Sequence, residues 1–149
     1  MTHRLCIGLA VGALLWAGCT LGKRTNAVGH DQRWSALSHD EKSALMYEHV
    51  EPQLRTAFQA FDREEFADFG CATCHAGGAA DGTYAMPSPD LPHLTEKGFF
   101  KAARKAHPKT VKFMWKEVES SVGKLLGKTY GPKGEFECSS CHVIDDRVE

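Results

Sequence analysis

The sequence predicts an all-α fold in two similar halves, each a methionine-bearing helix, a connector and a short C-x-x-C-H helix, and three observations carry that expectation. The pentapeptide C-x-x-C-H occurs twice, as Cys71-Ala72-Thr73-Cys74-His75 and as Cys138-Ser139-Ser140-Cys141-His142. Upstream of each, one register recurs without a gap: His39-x6-Met46-Tyr47-x2-Val50-Glu51-x2-Leu54, and His107-x6-Met114-Trp115-x2-Val118-Glu119-x2-Val122. The third observation is the near-constant separation, since Met46 precedes Cys71 by 25 residues and Met114 precedes Cys138 by 24. A repeat of this length with apolar residues at helical spacing reads as a supersecondary unit used twice.

The motif has a definite chemistry. C-x-x-C-H sets two thiols on one helical turn, from which they add to the two vinyl groups of a haem, while the next histidine coordinates its iron. The competing reading is one zinc held by both cysteine pairs. Zinc does not call for a histidine directly after each pair, and both copies have one. The chain therefore resembles a dihaem c-type cytochrome. A methionine-bearing helix, a turn and a C-x-x-C-H helix resemble the repeating unit of the multihaem cytochrome subunit of photosynthetic reaction centres and its relatives in non-photosynthetic bacteria. The resemblance runs roughly from Ser38 to His142, best over His107-Pro108 to Val122. It implies two covalently bound haem c groups on Cys71, Cys74, Cys138 and Cys141. The reaction-centre subunit has four such motifs and this chain has two, so docking to a reaction centre is not implied.

In order along the chain, Met1-Thr2-His3-Arg4, the apolar run Leu5 to Ala17 and Gly18 describe an export signal over residues 1–18, too short for a stable membrane span. Cys19 after Ala17-Gly18 resembles the lipobox of bacterial lipoproteins, in which the cysteine becomes the acylated first residue, with Trp16 where leucine is usual. Ordinary signal cleavage nearby is the alternative. Residues 19–33 lack apolar periodicity and read as a tether. Starting at Cys19 leaves 131 of the 149 residues, enough for one dihaem domain over 34–149 with halves at about 34–92 and 93–149. Without Arg4 the chain has 17 Lys+Arg against 19 Asp+Glu, a balance that points to neither nucleic acid nor an anionic membrane surface.

Ser38-His39-Asp40-Glu41 is a capping-box pattern and predicts a helix from there to about Val50, which Pro52 kinks or restarts and which Leu54, Phe58 and Phe61 continue to Asp62. Glu64 to His75 ends in the first motif, with Phe66 and Phe69 placed to cover a porphyrin. Gly77 and Gly78 prevent a long helix after it, and Met86-Pro87-Ser88-Pro89-Asp90-Leu91-Pro92 reads as an extended joint between halves. A helix is expected from about Thr95 through Phe99, Phe100 and Ala103. Pro108 opens the next, which runs to about Leu126. Gly127, Gly131, Pro132 and Gly134 form a connector, Glu135 to His142 the second haem helix, and Val143 to Glu149 a short tail.

His75 and His142 are the expected proximal iron ligands. For the sixth position Met46 and Met114 stand at matched offsets, and thioether ligation raises the potential of electron-transfer haems; core packing is their alternative role. His39 and His107 also match in register, which keeps bis-histidine ligation open. His49, Met86, His30 and His93 have no matched counterpart, and the last two read as solvated. Two function classes follow. The first is an electron carrier on the periplasmic side of a bacterial membrane, lipid-anchored or soluble, serving redox protein partners without a small-molecule substrate or enzymatic activity. The second keeps one iron five-coordinate, as a small-ligand sensor or peroxidase.

Overall fold

The computed structural model describes residues 34–145. The export signal, Cys19 and the tether lie outside the described residues. Ser38 caps the first long helix as its pattern requires: the hydroxyl accepts the Glu41 N–H at 3.3 Å, and the Glu41 carboxylate accepts the Ser38 N–H at 2.8 Å. The helix then runs through α1 (His39–Leu45), a π-helical segment π1 (Met46–Val50) and α2 (Glu51–Phe61). Pro52 does not interrupt it, because the proline falls in the first turn of α2, where a missing N–H costs least. The second long helix repeats the pattern after α3 (Cys71–His75), α4 (Gly77–Asp81) and α5 (Lys97–Ala106), as α6 (Pro108–Phe113), π2 (Met114–Glu119) and α7 (Ser120–Leu125).

Apolar spacing explains why both helices widen at the methionine. The buried residues are Leu45, Val50, Leu54 and Phe58 in the first helix and Phe113, Val118, Val122 and Leu126 at the matching positions of the second. Successive members are four apart except across the methionine, where the step is five. In an α-helix at 100° per residue, five residues put the second side chain about 140° from the first, off the buried face. One π turn, closed by the Glu51 N–H on the Met46 carbonyl five residues back, returns Val50 to the stripe.

These stripes meet in one core. α2 lies against π2, and α7 lies against π1, so each helix presents its widened turn to the other's following segment. Phe58 is the hinge of the packing: its ring meets Phe66 and Phe113 edge-on at 4.8 and 4.9 Å and Phe69 at 4.8 Å, while Phe61 stacks on Phe113 at 4.3 Å. Phe69 and Phe136, which stand two residues before Cys71 and Cys138, complete the core.

Several expected boundaries move. The helix expected over 135–142 contracts to a single 3-10 turn at Cys138–Ser140, because Glu135 and Phe136 spend their N–H groups on Thr129 Oγ1 at 3.1 Å and the Thr129 carbonyl at 2.9 Å. The helix expected from Thr95 is regular only from Lys101, since Gly98, Phe99 and Phe100 are left-handed at φ 65°, 55° and 57°. Residues 143–145 are not a free tail. The joint runs beside them: Ser88 N–H donates to the Cys141 carbonyl at 3.1 Å, Leu94 N–H to Val143 at 2.9 Å, and Asp145 N–H to Leu94 at 3.0 Å. His93 is exposed, as expected, and also meets the Asp145 carboxylate at 2.8 Å and the Pro89 carbonyl at 3.2 Å. Among the described residues these contacts amount to isolated bridges and no sheet, so the all-α expectation holds.

Replacing Phe58 with Ala removes a ring shared by both long helices and is expected to destabilise the protein by about 3–5 kcal/mol. Chemical denaturation measures it; a loss no larger than that of an exposed substitution would contradict the central place given to this ring.

Candidate functional site

Both C-x-x-C-H segments begin with the same hydrogen-bonded turn. Thr73 donates its N–H to the Gly70 carbonyl at 2.9 Å, and its hydroxyl accepts the Gly70 N–H at 3.1 Å. Ser140 does the same with Glu137, at 2.8 and 3.1 Å. A hydroxyl in the position before the second cysteine thus closes each turn on the residue before the first. The signal is in the sequence, a Thr and a Ser at one motif position, but C-x-x-C-H spacing leaves that position unspecified.

The second motif opens on a cavity of about 490 Å³ lined by Met114, Cys138, Cys141 and His142, with Val118 and Phe136 among its apolar walls. That volume lies in the range of ligand pockets, roughly 300–1,000 Å³. His142 Nδ1 is 2.9 Å from the Pro92 carbonyl, an acceptor, so Nδ1 carries the proton and Nε2 keeps its lone pair for a metal. Burial lowers the His142 pKa, against the opposing pull of the Pro92 carbonyl, and favours the neutral imidazole that coordination requires. His107 and Trp115 line the same cavity.

At the first motif the helix bearing Met46 is tied down through its neighbour Tyr47. The Tyr47 and Tyr84 hydroxyls lie 3.3 Å apart, and the bond to Tyr84, followed by one to Cys71, raises the Tyr47 phenol to about 12. Tyr84 stands edge-on to the His75 ring at 5.4 Å. Burial lowers the His75 pKa, opposed by the Tyr84 backbone, yet His75 Nδ1 is buried without a hydrogen-bond partner of normal geometry. Met46 and Cys74 pack against the shared core, as do Met114 and Cys141. Neither Tyr84 nor the Pro92 carbonyl was legible as a site group, because both reach the histidines from outside the motifs, Tyr84 from just before the joint and Pro92 from its end.

No disulfide joins the four described cysteines. Burial first, then Cys71, raises Cys74 to about 11; burial, then Glu119, raises Cys138 to about 11; burial, then Cys74 and Cys138, raises Cys141 to about 12. Among the described residues no group of three or more His, Cys, Asp or Glu side chains is placed to hold a bare metal ion. An apolar cavity carrying two thiols, a neutral histidine with a fixed tautomer and a thioether fits a covalently held haem.

Glu119 is the site residue that spacing did not single out. Its matched residue Glu51 pairs with Arg55, but the position matched to Arg55 is Gly123, against which the Tyr130 ring packs. Left without that guanidinium, Glu119 is 7% exposed, accepts the Cys138 thiol at 3.8 Å, and has no partner for Oε1.

Comparison with family models, with curated proteins and with solved structures returned no match for this chain.

Burial raises the Glu119 pKa above that of the unfolded chain, with the Gly131 backbone opposing. The folded state therefore gains from its protonation at acidic pH and loses that gain as pH rises through the raised value. Glu119→Gln should stabilise the protein at neutral pH, because it removes the buried charge, and the advantage should shrink on acidification. Thermal unfolding against pH measures this; a variant less stable at neutral pH would show that the carboxylate is satisfied.

Proposed function

We propose that this protein is a dihaem c-type cytochrome that carries single electrons between redox partners on the periplasmic side of a bacterial membrane, with no substrate of its own. The observation that supports the reading most is the cavity in which Met114, Cys138, Cys141 and His142 meet among apolar side chains. In this reading the two halves, about 34–92 and 93–149, hold one haem each. Cys71 and Cys74 would bind the first and Cys138 and Cys141 the second, with His75, His142, Met46 and Met114 as the iron ligands. Bound haem supplies a one-electron iron couple, raised in potential by a thioether ligand.

The chain's own contribution is orientation and exclusion of water. The Pro92 carbonyl holds His142 in the tautomer that presents Nε2. Val118 and Phe136, both buried, keep solvent from the inner wall of the cavity. Residues 1–18 act as the export signal, and acylated Cys19 ties the domain to the membrane through 19–33. Among the described residues no helix is long and apolar enough to cross a membrane. A second reading has one observation behind it: His107 lines the cavity beside Met114, so an imidazole is at hand for bis-histidine ligation or for an iron that exchanges its sixth ligand.

A pyridine haemochrome assay should give two covalent haems per chain, and extraction of haem by acidified acetone would contradict the reading. Met114→Ala should remove the thioether signature from the C-terminal haem alone, lower its potential and open it to carbon monoxide. A change at the N-terminal haem instead would overturn the pairing of ligands, and no change at either would hand the sixth position to His107 or another base.

Cys19→Ala should release the protein from the membrane fraction or block its processing, because retention through more than one acyl chain is stable. Wild-type protein recovered wholly in the soluble periplasm with a later free N-terminus would exclude the anchor.

A further inference from the structure

The two long helices show the same outer face with the opposite charge. Five residues before each methionine stands Glu41 in one and Lys109 in the other; two residues after it stand Glu48 and Lys116, and all four are exposed. Directly after each methionine stands an exposed aromatic ring, Tyr47 at 55% and Trp115 at 41%. The contrast extends beyond these pairs. Residues 34–92 hold ten Asp and Glu against three Lys and Arg, whereas 93–145 hold ten Lys and Arg against six Asp and Glu. The described ion pairs, Arg55 with Glu51 and His93 with Asp145, use none of the four reversed residues.

From this we propose that the basic face around Trp115 docks the acidic face around Tyr47 of a second copy of the chain. The two faces belong to matched helix segments, each α-helical up to its methionine and π-helical beyond it, so they offer equal spacing of charge with complementary sign. Such a contact is heterologous, joining unlike faces, and each copy keeps a free face of either sign for the next. Its attraction is between exposed charges, so the contact is transient and weakens as salt is added. The contact stands on surface charge and does not depend on the electron-carrier reading. Under that reading it brings the Met114 site of one copy beside the Met46 site of the next.

The test is zero-length carbodiimide cross-linking of the exported holoprotein, mixed from isotopically light and heavy preparations so that links between copies are recognised by mass. At low ionic strength Lys109 and Lys116 should link to Glu41 and Glu48 of another copy, and high salt should abolish the links. Lys116→Glu should lose them, and mixing it with Glu48→Lys should restore a link between positions 48 and 116. Both substitutions change exposed charges, and the wild-type salt dependence stands without either. Absent or scattered links between copies overturn the proposal. So does protection of these lysines by a polyglutamate peptide, or by anionic phospholipid vesicles, in copies that do not link to one another. A haem count on the same sample distinguishes failure of this contact from failure of the cytochrome reading.

Discussion

The contact of Phe58 with Phe113 is the constraint on which the described structure depends. Phe58 closes the buried stripe of the first helix and Phe113 opens that of the second, so their edge-on meeting sets how the two helices lie across each other. Each stripe stays on one face only because the helix widens by one residue at the methionine. The widened turn, the buried stripe and the placement of Met46 and Met114 beside the core are thus one adaptation to apolar spacing. A π turn at a methionine in both helices, under the same five-residue step, follows from the pattern of burial and does not need Pro52, which only the first helix has.

The second site shows how a loop completes a motif. His142 and the two cysteines stand on one 3-10 turn and the two residues after it, whose N–H groups bond back to the Cys138 carbonyl, a segment too short to fix the imidazole by itself. The joint between the halves supplies what is missing, pairing its backbone with residues 141–145 and offering the Pro92 carbonyl to Nδ1. Ser88, only 2% exposed, anchors this joint. The first site instead uses Tyr84, just before the joint, against the His75 ring, and leaves Nδ1 without a hydrogen-bond partner of normal geometry. Equivalent motifs therefore sit in unequal surroundings. Glu119 adds to the inequality, since a glycine stands where the other helix has an arginine.

Local chemistry was enough to read the helical class, the capping box at Ser38 and Glu41, and the two motif segments from the sequence alone, because each depends on residues within a few positions of one another. The matched register also placed Met46 and Met114 on corresponding helices. What only the tertiary structure decided depends on groups distant in sequence: the pairing of 88–94 with 141–145, the acceptor for His142, the Tyr47–Tyr84 contact, and the burial of Glu119 without a cation. Backbone carbonyls carry no residue signature, so the Pro92 acceptor was invisible to motif reading. The shortened second motif helix has the same cause, since Glu135 and Phe136 have ordinary helix-compatible identities and were drawn into extended chain by Thr129, a partner that only folding brought beside them.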